Sequence, residues 1–223
     1  MTESERYRRG VEILRQVGGP EFDTPLKALE DVAPDLVRLA VEFGYGEIMS
    51  RPALDLPTRQ LATVAALCAM GNAPSQLRYH IEGALNVGCP ASHVTEVVLA
   101  SSGIVGSGLA RDGLLAMNEV LRRRGLTPPI EVAAAEDPAR YEARLDPRLD
   151  RRTKVLATIA LLTALGTAHE NLKLEVRAAL DSGVTRVEIV EAIQQMALYA
   201  GFPAALNGIA AAKEVFAGNT AVR

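Results

Sequence analysis

The chain has 223 residues, with 24 Lys and Arg against 27 Asp and Glu for a formal net charge of −3. That length holds one well-buried core or two small fused copies, and with no basic block to neutralise a phosphate backbone, a nucleic-acid partner is not expected. Hydrophobic residues make up 48% of the chain, aromatics only 4%, and Trp is absent, so the core must be built from Ala, Leu, Val and Ile, the composition of packed helices.

The chain opens Met-Thr-Glu-Ser-Glu-Arg, charged instead of apolar, so a secretory leader is not expected. The longest uncharged apolar stretches, such as residues 155–168, fall short of the roughly 20 residues a bilayer crossing needs. A soluble, cytoplasmic protein is expected, with no membrane partner. Cys68 and Cys89 are too few for a disulfide framework and match no zinc spacing. Neither a metal nor a cofactor is expected.

In chain order, two amphipathic stretches come first, at residues 5–16 and 25–42, the second carrying Leu26, Leu29, Val32, Leu36, Leu39 and Val41. Both predict helices. Residues 58–71 then read as an apolar helix stopped by Gly71. A second helix opens at Pro74 and runs to Gly88, a third starts after Pro90, and a fourth follows Gly106. After a connector containing Pro128-Pro129 and Asp137-Pro138, the same punctuation returns. A helix ends at Gly166, and Thr167-Ala-His-Glu170 and Thr185-Arg-Val-Glu188 both read as capping boxes. A final helix follows Gly201. Alternating β-branched runs bounded by turns are missing, and the fold class is all-α.

The recurrence is a tandem duplication. Sliding the chain by 95 residues lays residues 54–120 over 149–215 without a gap, and 22 of the 67 paired positions are identical, where average usage gives roughly 5 by chance. The pairs include Asp55 with Asp150, Gly71 with Gly166, Gly88 with Gly183, Glu96 with Glu191 and Gly106 with Gly201. The implied organisation is N-terminal helices at 1–42, a first repeat at 43–124, a connector at 125–137 and a second repeat at 138–223. Each copy is too small to bury its own apolar face, so the two are expected to pack about a pseudo-two-fold axis, leaving an Ala/Leu surface for oligomerisation.

Three strings carry a resemblance: Phe43-Gly-Tyr-Gly-Glu-Ile-Met-Ser-Arg-Pro-Ala-Leu-Asp-Leu-Pro-Thr-Arg59, Leu77-Arg-Tyr-His80 followed by Gly83-Ala-Leu-Asn-Val-Gly88, and Glu191-Ala-Ile-Gln-Gln-Met-Ala-Leu-Tyr-Ala-Gly-Phe-Pro-Ala-Ala-Leu-Asn207. In these the chain resembles the carboxymuconolactone decarboxylase family, within the alkylhydroperoxidase D-like superfamily. The resemblance implies an all-helical fold, hexamers of single-copy subunits, and either cofactor-free decarboxylation of a lactone acid or thiol-dependent peroxide reduction. The peroxidase motif is Cys-x-x-Cys-x-x-x-His, one thiolate attacking and its neighbour resolving. Counting back from His80, those cysteine positions hold Ala73 and Gln76, and in the second copy Ala168 and Asn171 precede Glu175. No redox pair is present, and Cys68 on its apolar helix reads as a small buried hydrophobe.

Decarboxylation asks for a grip on the carboxylate, a place for the charge left behind, and a proton returned to carbon. His80 is read as general acid/base, because imidazole moves its proton most easily near neutrality. Arg51 can hold a carboxylate bidentately, and Glu47 can orient the histidine or the arginine. Arg59 is included as a substrate-binding candidate, although in the first turn of a helix a structural ion pair is the better reading. Glu96 and Glu191 recur in both copies and read as structural, His93 and His169 as surface residues, and Gly44 and Gly46 form no phosphate-cradling pattern. The second copy has Glu175 for His80, Glu142 for Glu47 and Asp146 for Arg51, yet keeps Tyr199 and Phe202 where the first has Ile104 and Ser107. One composite site per chain is therefore expected, with Tyr199 and Phe202 forming its wall. The substrate would be a small carboxylated lactone or keto acid and the assembly a homotrimer, three two-copy chains replacing six single ones. An isomerase or cyclase using the same pocket, and a non-catalytic ligand-binding or assembly protein, are the alternatives.

Overall fold

Ser4 caps the first helix, its hydroxyl accepting from the Tyr7 amide, and α1 runs over Glu5–Gly18. The computed structural model of the chain describes residues 4–137, 139, 141, 145 and 148–218. After a single 3₁₀ turn at Gly19–Glu21 come two short helices, α2 at Thr24–Lys27 and α3 at Pro34–Leu39. The continuous helix expected over 25–42 is therefore broken. Pro34 disfavours the helical region for the residue before it, and Ala33 sits at φ −141°, ψ 61° while Pro34 takes the first helical position. α3 then widens without a break into a ten-residue π-helix, Ala40–Met49.

This π-helix lies against α1 with the two backbones touching. A Cβ added at Gly46 would sit 2.1 Å from the Arg6 carbonyl oxygen, and one at Gly10 2.2 Å from the Val41 carbonyl oxygen. Gly46→Ala is expected to lower stability by about 1–3 kcal/mol, because backbone cannot yield as a flexible side chain does. Urea denaturation checks this, and an unchanged midpoint would show that the two elements part easily.

The duplicated region supplies α4 (Leu56–Met70), α5 (Pro74–Asn86), α6 (Ala91–Val105) and α7 (Ser107–Arg123), then α8 (Arg151–Leu165), α9 (His169–Asp181), α10 (Arg186–Gln195) and α11 (Gly201–Gly218). Both ends of α4 and α5 fall 95 residues before those of α8 and α9. The local causes recur too. Asp55 and Asp150 each accept a 2.9 Å bond from the threonine amide three residues on, and Gly71 and Gly166 close their helices at φ 66° and 68°, where a side chain is strained. The Thr185/Glu188 capping box forms. The Thr167/Glu170 box does not, because α9 starts only at His169, with Ala168 as its cap.

No strand is present among the described residues, and the fold is an all-α tandem repeat. Its spine is the contact of α4 with α8, the most extensive between any two helices. Ala62, Ala66 and Ala160 are fully buried there with Met196, and these small side chains let the two axes come close. A buried aliphatic core continues from one repeat into the other. None of the described helices is long and apolar enough to cross a membrane.

Candidate functional site

Two crossed ion pairs hold the repeats together. Arg59, in the first turn of α4, is fully buried at 0% exposure. Its Nε donates to the Leu54 carbonyl, Nη1 to Gln195 Oε1 at 3.0 Å, and Nη2 to the Arg51 carbonyl and to Glu191 Oε2 at 2.8 Å. Glu191 and Gln195 belong to α10 of the other repeat. In the mirrored relation, Lys154 of α8 donates to Glu96 of α6 at 3.2 Å, and the Leu149 amide donates to the same carboxylate at 2.8 Å. Residue i of one copy meets residue j of the other, and j meets i, which is two-fold reciprocity within a single chain. Both glutamates are structural, and every nitrogen of Arg59 is engaged. Expected as a possible substrate-binding residue, Arg59 instead spends its guanidinium within the chain, tying α4 to α10.

The network continues outward. Glu191 Oε1 accepts from Arg51 Nε at 2.6 Å, while Glu47 lies 3.8 Å from Arg51 and 3.1 Å from Arg6. Glu47 thus stands on the arginine side of the network, with Arg6 as its nearer partner. Inward, the Gln195 amide donates to the Arg59 carbonyl and to Thr63 Oγ1, both at 2.9 Å, and the Thr63 hydroxyl donates in turn to the Arg59 carbonyl at 3.0 Å.

His80, on α5, stands beside this network at only 6% exposure. In this packing the imidazole is enclosed by neighbouring side chains. Tyr79 and Tyr199 close on the imidazole edge-on, each with ring centroids 5.3 Å away, and cavities of about 450 Å³ beneath α1 and about 320 Å³ beside Cys68 are lined by other residues. Burial drives the imidazole's proton affinity down to about 3, so the ring is neutral across the physiological range. Gln60 Oε1 lies 2.9 Å from Nδ1; accepting from Nδ1–H, it leaves the lone pair on Nε2. Gly83 makes that approach possible, because a Cβ there would sit 2.9 Å from Gln60 Oε1 and 2.7 Å from Val17. The other end of the Gln60 amide, Nε2, is buried with no hydrogen-bond partner among the described residues. A buried orphan donor next to a neutral imidazole is a seat for an acceptor oxygen. Tyr45, from the π-helix, reaches Tyr79 with the two hydroxyls 3.4 Å apart, and burial raises the proton affinity of Tyr45, Tyr79 and Tyr199 alike.

The structure therefore brings His80 and Tyr199 together across the two repeats, with Arg51 tied in through Glu191. Phe202 is not against the imidazole: it is 60% exposed and stacks on Phe43, centroids 5.9 Å apart. Gln60, Thr63, Tyr45, Tyr79 and Gln195 escaped the sequence reading. The signal for two of them lay in the duplication, where Gln60 pairs with Val155 and Tyr79 with Leu174, a polar side chain in one copy for an apolar one in the other. The second copy carries Val155, Leu174 and Glu175 where the first has Gln60, Tyr79 and His80, the first carries Ile104 where the second has Tyr199, and burial raises the proton affinity of the Glu175 carboxylate. Glu142 and Asp146 lie outside the described residues. His169 is exposed as expected, but His93 is half-buried, its Nε2 shielded from solvent. Burial raises the thiol of Cys68 and pushes that of Cys89 up to about 12, the opposite of what thiolate chemistry requires.

Comparison with known proteins finds the same duplication. The model of the carboxymuconolactone decarboxylase family matches residues 34–119 and again residues 131–214. The chain is 30% identical over 129 residues to a 4-carboxymuconolactone decarboxylase of Acinetobacter baylyi, an alignment covering 57% of this chain and 96% of that relative. It is 40% identical over 70 residues to an uncharacterized 15.0 kDa protein of Paracoccus denitrificans, covering 31% of this chain and 52% of that one.

Proposed function

Because the chain belongs to the carboxymuconolactone decarboxylase family, we propose that it is a cofactor-independent carboxy-lyase acting on a small carboxylated lactone or keto acid, with one composite site per chain centred on His80. The observation that carries this reading is the neutral, desolvated imidazole whose tautomer Gln60 sets, beside an unpaired buried amide donor.

Arg51, half-exposed at the edge of the network, takes the substrate carboxylate. The carbonyl conjugated to it accepts from Gln60 Nε2. An anion arriving beside Nε2 favours the imidazolium, so His80 takes up one proton from solvent as substrate binds. The bond to the carboxylate carbon then breaks, its electron pair passes into the carbonyl system to give an enolate, and carbon dioxide leaves. Gln60 and the Tyr199 hydroxyl face the developing negative charge in a site that excludes water, where donors are strongest. The imidazolium returns its proton to carbon. One proton enters from water and one is delivered, and no electrons are exchanged. Tyr79 and Tyr199 must swing aside for substrate to reach the ring.

The test is a mass-spectrometric screen of keto acids and lactone acids with the wild-type and His80→Ala proteins. Release of carbon dioxide by the wild type, cut by about 10²–10⁴ in the variant, is the expected result. Conversion of a substrate without mass loss points to an isomerase or cyclase. Ligand binding with no turnover, unaltered by His80→Ala, points to the non-catalytic reading, which the closed packing of the ring favours.

A further inference from the structure

We propose that the cavity of about 320 Å³ beside Cys68 is a binding site for an apolar amino acid, held as its zwitterion between Arg78 of α5 and Asp112 of α7. The inference goes beyond the catalytic reading, because the cavity shares no residue with the surroundings of His80. Its body is aliphatic. Leu67, Leu77 and Ala116 are buried along it, and Leu109 leans over Gly71, where an added Cβ would sit 2.4 Å from a leucine methyl. This volume falls at the lower end of the range for small-molecule sites, which are mostly apolar with a few polar groups that fix the ligand.

The duplication shows what sets this hollow apart. Its counterpart lies in the other repeat, where each of the nine lining residues stands 95 places after one that lines the first, yet it encloses only about 10 Å³. Three differences separate the two. The rim is built up in the first copy, with Leu109 and Leu115 where the second has Ala204 and Ala210. The cation is released: Lys173 is closed between Glu170 at 3.0 Å and Glu214 at 2.7 Å, whereas Arg78 has Ser75 in place of the first acid and Glu119 only at 3.6 Å. Its guanidinium makes no hydrogen bond among the described residues, so a fork of donors shaped to a carboxylate stands unused. An anion is added: Asp112 replaces Asn207 and has no ion pair among the described residues.

A free cation and a free anion on neighbouring helices, with an apolar body between them, call for a ligand of the reversed pattern. The spacing fits. Asp112 and Glu119 stand seven residues apart on α7, about 10 Å along the axis, and Arg78 lies beside Glu119. A carboxylate and an ammonium on one carbon, with a hydrogen bond at each end, bridge about 8 Å. A plain acid leaves Asp112 unpaired and meets its repulsion, and a plain amine does the same at Arg78.

Isothermal titration calorimetry with L-phenylalanine, 3-phenylpropanoate and 2-phenylethylamine tests this without turnover, so its failure is separate from failure of the catalytic reading. Saturable one-to-one binding of the amino acid is expected. Affinity should fall by about tenfold or more in Arg78→Gln and in Asp112→Asn, and for either singly charged analogue, because each change removes a charge-assisted bond. Arg78 is 33% exposed at its side chain and Asp112 is exposed, so the helical circular dichroism of both variants should be unchanged. Glycine, with no side chain to fill the hollow, should bind more weakly than phenylalanine. No binding of phenylalanine at millimolar concentration overturns the proposal, and so does binding that both variants keep. An analogue or glycine that binds as tightly as phenylalanine overturns the assignment of an apolar zwitterion.

Discussion

Glu191→Ala is expected to destabilise the protein by about 3–5 kcal/mol, the cost of leaving a buried charge without its partner. Arg59 has no route to water, with burial already working against its charge and the Glu191 carboxylate favouring it. Removing that carboxylate also frees Arg51, which loses its 2.6 Å bond. The reciprocal change, Glu96→Ala, provides the control. Its partners Lys154 and Arg148 are 33% and 55% exposed at the side chain, so both charges can be rehydrated. The loss there should be smaller, although the Leu149 amide also gives up its acceptor. Urea denaturation of the two variants measures the difference. Equal losses would mean that burial of the guanidinium is not what makes the first pair matter.

A second large effect concerns acid. The His80 imidazole is held at about 3 in the folded chain against an ordinary 6.5. Below 6.5 the unfolded chain therefore binds a proton that the folded chain refuses. The sign follows directly: stability is fully present above pH 6.5 and is lost as the pH falls toward 3, by about 3 kcal/mol between pH 6.5 and 4. Carboxylates held low, such as Asp150 and Glu188, also lose stability in acid, so the diagnostic quantity is the difference between wild type and His80→Gln. The variant should show a slope shallower by that amount, and parallel curves would place the imidazole in contact with water. Gln60→Glu sharpens the case. A carboxylate 2.9 Å from Nδ1 favours the imidazolium, so the histidine should titrate at higher pH, followed by NMR of the ring protons, with the acid loss of stability correspondingly reduced.

The boundaries of the repeat were legible in the chain because they are set locally. An aspartate before a helix bonds an amide three residues on, and a glycine after it takes a positive φ, and both signals recur 95 residues apart whatever surrounds them. Alanine-rich, Trp-free composition likewise pointed to packed helices. The breaks in the N-terminal region were less visible. Residues 25–42 are amphipathic at helical spacing, yet the constraint that Pro34 places on Ala33 overrode the pattern, and nothing local announces a π-helix that depends on glycines meeting a neighbouring backbone.

At the site the division is sharper. His80, Arg51 and Tyr199 could be singled out from residue type and from the way the two copies diverged, because each half keeps what the other has lost. What only the tertiary structure decided is which groups those residues meet. Gln60 and Thr63 lie on the α4 face that α5 and α10 cover, and their partners stand 20 and 132 residues away. Sequence spacing carries no record of such distances. The same holds for Arg59, whose neutralisation by Glu191 across the repeat interface, and not its residue type, makes it a tie between helices instead of a grip on substrate. Local hydrogen-bonding preferences act through the chain and can be read along it, whereas desolvation and charge pairing act through space and exist only once the two copies have closed on one another.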